Sequence, residues 1–181
     1  YYRRSGGGVT LSGGEILGQA DFARDLLEAC KQSGLHTAVE STANAPFETI
    51  SRILPFLDLY LLDIKHMNSA KHKEYTGAGN ELILENAKRL AESGVELIIR
   101  TPVVPNFNDT PEEIRAISKF AASLRGVKEH HLLPYHRLGQ DKYSGLGRRY
   151  SLEGVEPPSK EKMEYLKACA EECGLKCQIG G

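Results

Sequence analysis

The sequence predicts an α/β fold built on a parallel sheet. Short apolar runs alternate with amphipathic segments at intervals close to the ~30 residues of a repeating βα unit. Near-continuous apolar runs such as Leu59-Tyr60-Leu61-Leu62 and Leu97-Ile98-Ile99 suit strands covered on both faces. Glycines and capping residues punctuate the amphipathic segments where helices should begin and end.

Taken in order, strands are expected at 9–12, 37–40, 59–63, 97–101 and 131–134, with a last one at 176–179. Ala23, Leu26, Leu27 and Cys30 repeat at i, i+3, i+4, i+7, and Gly34 ends that helix. Ile83, Ala87, Leu90 and Ala91 repeat the pattern up to Gly94. Thr110-Pro111-Glu112-Glu113 is a capping box with proline at the first helical position, opening a helix through Ile114, Ile117, Ala121 and Leu124. Ser159 is the N-cap expected for a final helix carrying Met163 and Leu166, and the glycine-rich stretch 135–158 reads as loop.

With 181 residues, 40% of them hydrophobic, the chain can bury one sizeable core as a single domain over 1–181. Its net charge of -1 is spread without a basic block, which argues against nucleic acid or an anionic membrane as partner. No apolar run approaches the ~20 residues of a membrane-spanning helix. Cys30, Cys169, Cys173 and Cys177 are too few and too oddly placed for a disulfide scaffold, so a reducing cytoplasm fits better. The last three form CxxxCxxxC, but Cys169 and Cys173 fall on the apolar face with Leu166 and Ala170. Gly174 then stops the helix and places Cys177 in a strand. These cysteines read as buried small hydrophobes rather than metal ligands.

Chemistry concentrates at strand ends. The run Ser5-Gly6-Gly7-Gly8-Val9-Thr10-Leu11-Ser12-Gly13-Gly14-Glu15 joins a β-branched strand to a double glycine and a carboxylate. Glycines let a backbone approach a ligand or take positive φ, and Glu15 can accept a charge-assisted hydrogen bond from an amine. A glycine-rich surface turn is the plainer alternative. Asp63 and Lys65 flank Ile64, so the strand period of two puts both on one face. Unpaired charges on an apolar strand are costly to bury, which favours a site over a pair bridging to a loop. Glu40 and Ser41 end the preceding strand, as either site residues or a capping turn before Pro46. Arg100 closes Leu97-Ile98-Ile99-Arg100; its rigid donor fork suits a carboxylate, whether a ligand's or that of Asp63. His136 follows the fifth strand beside these other polar strand ends. His66, His72, His130 and His131 have no metal-ligand spacing and read as structural or exposed.

The order GGGVTLSGGE, LLDIKHM from Leu61, IIRTPVVPNFNDT from Ile98 and LLPYHRLGQDKY from Leu132 resembles the activating enzymes of glycyl-radical enzymes, in the radical S-adenosylmethionine superfamily. The resemblance implies an incomplete (β/α)6 barrel of which this chain lacks the first βα unit, a C-terminal portion that is foldable but prone to edge-to-edge association. Relatives carry a CxxxCxxC loop for a 4Fe-4S cluster, a spacing absent here, so the chain alone is expected to be inactive. In the complete enzyme, a reduced cluster cleaves S-adenosylmethionine to methionine and a deoxyadenosyl radical. That radical takes a hydrogen atom from a glycine of pyruvate formate-lyase or a related glycyl-radical enzyme, with flavodoxin or ferredoxin as reductant. The resemblance assigns Gly13, Gly14, Glu15, Ser41, Lys65, Arg100 and His136 to S-adenosylmethionine and a monovalent cation to Glu40 and Asp63, and it assigns no side chain as general acid or base. The rivals are an aldolase-like barrel with a Schiff base on Lys65, which leaves GGE unexplained, and a non-catalytic module that docks on a glycyl-radical enzyme.

Overall fold

The computed structural model describes residues 7–137, 147 and 152–180. It contains one sheet of six parallel strands in sequence order. These are β1 (Gly8–Leu11), β2 (His36–Ser41), β3 (Leu59–Asp63), β4 (Glu96–Val103), β5 (Glu129–Pro134) and β6 (Lys176–Ile179). β1 and β6 are the two edges and do not pair, so the sheet is an unclosed partial barrel. Every expected strand forms, with β3 and β6 at the expected bounds and β2, β4 and β5 longer. The register explains the glycine that opens β1: a Cβ on Gly8 would lie 2.1 Å from the His36 carbonyl oxygen.

Among the described residues six α-helices pack on the sheet or rim its upper end: α1 (Ala20–Gln32), α2 (Phe47–Ser51), α3 (Ser69–Thr76), α4 (Glu81–Ser93), α5 (Pro111–Ser123) and α6 (Lys160–Glu171). The expected caps form. The Thr110 and Ser159 side chains accept from Glu113 N and Lys162 N, and Gly94 takes a left-handed φ of 85° after α4. Two elements escape the periodicity. α2 has five residues, and α3 buries only His72, so neither carries an apolar stripe. The signals for α3 are its ends: Asn68 caps Lys71 N, and Gly77 closes it at φ 87°.

Alternation along the strands divides the sheet's two faces. Val39, Tyr60, Leu62, Leu97 and Ile99 pack with Leu27, Ile50, Ile53, Ile83, Leu90 and Ile117 in the main core. Val103, Leu132 and Cys177 pack with Ile114, Met163, Leu166 and Ala170 in a second cluster. Each fully buried Leu or Ile contributes roughly 1.5–3 kcal/mol. The intervening residues, including Glu40, Asp63 and Arg100, project to the opposite face. His130 and His131 divide the same way: His130 is held by Thr101 and Ser118, His131 by Glu129. No helix among the described residues is long and apolar enough to cross a membrane.

Pro102 lies inside β4, where a missing N–H ordinarily breaks a ladder. Arg100 O accepts Ile64 N at 2.9 Å, so residues of that parity face β3. β3 ends at Asp63, leaving no strand for Pro102 to bond, and its carbonyl is taken instead by Asn108 Nδ2 at 2.8 Å.

Candidate functional site

The C-terminal ends of β1 to β4 enclose a cavity of about 430 Å³, at the end of the sheet where α/β proteins bind ligands. The turn after β1 contributes Ser12, Gly13, Gly14 and Glu15, and the end of β2 contributes Glu40, Ser41, Thr42 and Asn44. β3 contributes Asp63 and Lys65, and β4 contributes Arg100. Eight of the nine residues expected at the site therefore meet in one cavity. His136 does not: it is exposed, just past Tyr135, and is absent from the lining. Much of the loop that follows it lies outside the described residues.

Gly13 takes φ +120° although a Cβ there would meet nothing within 4 Å, so the requirement for glycine is conformational. That turn presents Glu15 to the end of β2. The sequence reading gives the Glu15 carboxylate to a ligand amine; in the structure its oxygens are taken from within. Ser41 Oγ donates at 2.6 Å, Thr42 Oγ1 at 2.7 Å, Thr42 N at 3.1 Å and Leu17 N at 3.2 Å. Burial opposes ionisation, but these four donors hold the carboxyl below the usual range. Glu15 thus clamps the glycine turn to β2.

Arg100 is buried and uses its fork on two strands. Nη1 donates to Glu40 Oε1 at 2.7 Å, and Nε and Nη2 donate to Asp63 Oδ1 at 3.2 and 3.1 Å. Ser12 Oγ donates to the other Glu40 oxygen at 2.5 Å. The two carboxyls respond differently to the shared arginine. Burial pushes Asp63 up, and Arg100 and Lys65 offset this only in part. Glu40, at 30% side-chain exposure against 17% for Asp63, is less desolvated, and Ser12 and Arg100 hold it low. Three carboxyl groups facing two cations suit a zwitterionic ligand that carries an additional positive charge. Lys65 is half-buried in this polar cavity, without the dry surroundings that activate a Schiff-base lysine.

Sequence reasoning missed Ser12, Thr42 and Asn44 as lining residues. The turn between them contains Ala43, fully buried at φ 54°, a backbone conformation that glycine adopts readily.

The other candidates resolve as structural. His66, His72, His130 and His131 are all buried, and burial, with a smaller effect from His131, pushes His130 down to about 3. Cys169 and Cys177 are buried, and burial raises the Cys177 thiol to about 12. Among the described residues no cluster of three or more His, Cys, Asp or Glu side chains could hold a metal ion.

Residues 1–121 match the family model of the Radical SAM superfamily. The chain is 47% identical over 157 residues to the (2S)-3-sulfopropanediol sulfolyase activating enzyme of Bilophila wadsworthia, covering 86% of this chain and 52% of that protein. It is 40% identical to the pyruvate formate-lyase 1-activating enzyme of Escherichia coli, covering 97% and 72%. The crystal structure of a domain of pyruvate-formate lyase-activating enzyme from Bacteroides vulgatus superposes with a TM-score of 0.80 at 35% identity, over 97% of this chain and 99% of that one. The chain thus spans about half of the first of these relatives and about three-quarters of the second.

Proposed function

The chain belongs to the radical SAM superfamily, among relatives that activate glycyl-radical enzymes, and from that premise we propose that it forms the S-adenosylmethionine-cradling portion of such an activating enzyme. The observation that carries this reading is the 430 Å³ cavity, within the ~300–1,000 Å³ range of small-molecule sites, with its carboxyls and cations on four neighbouring strands. When bound and reduced, S-adenosylmethionine supplies a deoxyadenosyl radical, the hydrogen-abstracting species.

The residues fit the cofactor's charges. Glu40 and Asp63 offer carboxyl oxygens to its ammonium and sulfonium groups, and Lys65 and Arg100 offer cations to its carboxylate. Gly13 and Gly14 let the backbone come close, and Glu15 with Ser41 fixes the turn that carries them. Glu40 and Asp63 are also the residues that would hold a monovalent cation, in competition with the Arg100 guanidinium that bridges them, and His136, just past β5, is the remaining residue proposed for the cofactor. The protein's task is positioning and shielding, because the cofactor performs the hard chemistry.

The residues do not fit the 4Fe-4S cluster. The four cysteines lack CxxxCxxC spacing, and two of them are buried core residues, so the cluster ligands are assigned to sequence beyond these 181 residues. The 181-residue chain alone is accordingly inactive, the protein substrate is a glycyl-radical enzyme, and flavodoxin or ferredoxin supplies the electron. The test is anaerobic cleavage of S-adenosylmethionine by the protein expressed from its full gene, reconstituted with iron and sulfide, with the 181-residue chain beside it. Deoxyadenosine from the reconstituted protein alone supports the reading. No product from a protein with an intact cluster would move the assignment to a docking module.

A further inference from the structure

We infer that three buried asparagines, Asn80, Asn86 and Asn108, are positioning residues that set the backbone from which the cavity's side chains hang. Each is at most 2% exposed, and each side-chain amide donates to two backbone carbonyls near the upper end of the sheet. Asn86, on α4, donates to Ala43 O at 2.7 Å and Ala45 O at 2.8 Å, holding the turn that carries Thr42 and Asn44. Asn80, just before α4, donates to His66 O at 2.7 Å and Met67 O at 2.8 Å. Asn108 donates to Lys65 O at 2.7 Å and Pro102 O at 2.8 Å, while Val104 N donates to its Oδ1 at 2.8 Å.

The chemistry explains the choice of residue. Where parallel strands end at different heights, carbonyls lose their ladder partners, and a buried carbonyl without a donor is costly. A primary amide supplies two donors in fixed geometry and no charge, so it satisfies two carbonyls without disturbing the balance of carboxyls and cations nearby. Asn108 bears most directly on the ligand. Its two acceptors are the carbonyl of Lys65 itself and that of Pro102, two residues beyond Arg100, so one side chain ties together the strand ends that present both cavity cations. A second tie, Thr101 Oγ1 to Ile64 O at 2.9 Å, runs parallel to it.

This inference rests on the cavity being the S-adenosylmethionine site. The test uses the cluster-reconstituted protein from its full gene and measures the KM and kcat of deoxyadenosine formation for wild type, Asn108→Ala, Asn108→Ser and the core variant Ile117→Val. Loss of the bridging amide should raise the KM of Asn108→Ala about tenfold, with kcat within about twofold of wild type. Asn108→Ser, which retains one donor, should fall between, and it provides the reading if the alanine variant fails to fold. Ile117→Val should melt earlier with KM unchanged, separating general destabilisation from positioning. Wild-type KM in a folded Asn108 variant would overturn the inference. Failure of wild type to cleave S-adenosylmethionine would overturn the functional reading beneath it.

Discussion

His130 predicts a measurable pH dependence of stability. The ring is fully buried between β5 and α5, with Nε2 2.9 Å from Thr101 Oγ1 and Nδ1 2.9 Å from Ser118 Oγ. Desolvation, with a smaller effect from His131, lowers its pKa from 6.5 to about 3. The folded state therefore keeps the ring neutral while the unfolded chain takes up a proton below pH 6.5, so stability is complete above that pH and falls as pH drops toward 3. Integrating over that window gives a loss of about 2 kcal/mol between pH 8 and pH 5 from this residue alone. Urea unfolding of the 181-residue chain at both pH values, for wild type and His130→Gln, isolates the effect, because the carboxylates titrate in both proteins. Wild type should lose about 2 kcal/mol more than the variant over that interval. Parallel losses would refute the reasoning and mean that the ring is solvated or protonated in the folded protein.

At Ala43, relief of the left-handed φ by Ala43→Gly, roughly 1–2 kcal/mol, is offset by loss of a buried methyl at ~0.8 kcal/mol plus chain entropy, so melting should change by less than about 1 kcal/mol. Ala43→Val, a larger β-branched residue in the same closed space, should destabilise by more than about 2 kcal/mol in the same melting experiment. The lowered pKa of Glu15 means that its clamp contributes above the ordinary value of 4.5 and is lost as pH falls through the lower folded value. Thermal melts should show that acid limb in wild type and a shallower one in Glu15→Gln. Cys177→Ala should leave the iron content of the reconstituted full-length protein unchanged, as measured by iron and sulfide analysis; a loss of iron would return that cysteine to the cluster.

The strand positions were readable because apolar runs such as Leu59 to Leu62 and Leu97 to Ile99 mark them, although Leu59, Leu61 and Ile98 are only half-buried on the face opposite the main core rather than fully covered on both faces. α3 was not readable, because a helix that rims a site and buries only His72 has no stripe to detect. The site's charged members, Glu40, Asp63, Lys65 and Arg100, stood out as costly residues on apolar strands, and the structure brings them together. Partners were less legible: the sequence reading gives Glu15 to a ligand amine and leaves Arg100 between a ligand's carboxylate and that of Asp63, and in the structure both are engaged by protein groups contributed by neighbouring strand ends, Arg100 by Asp63 and also by Glu40. Such pairings span 26 to 60 residues and depend on register. The asparagines left one faint sign, since Asn86 interrupts the apolar stripe of Ile83, Ala87 and Leu90 at a core position.

Equilibrium binding of S-adenosylmethionine to the unreduced, cluster-reconstituted protein from its full gene tests most directly whether this cavity holds the cofactor. Wild type should be compared with Lys65→Met and Asp63→Asn, both checked for folding by circular dichroism. The account predicts binding by wild type and a loss of about tenfold or more in each variant, the consequence of removing one charge-assisted contact. Wild-type affinity in both folded variants would contradict it and place the cofactor elsewhere in the molecule.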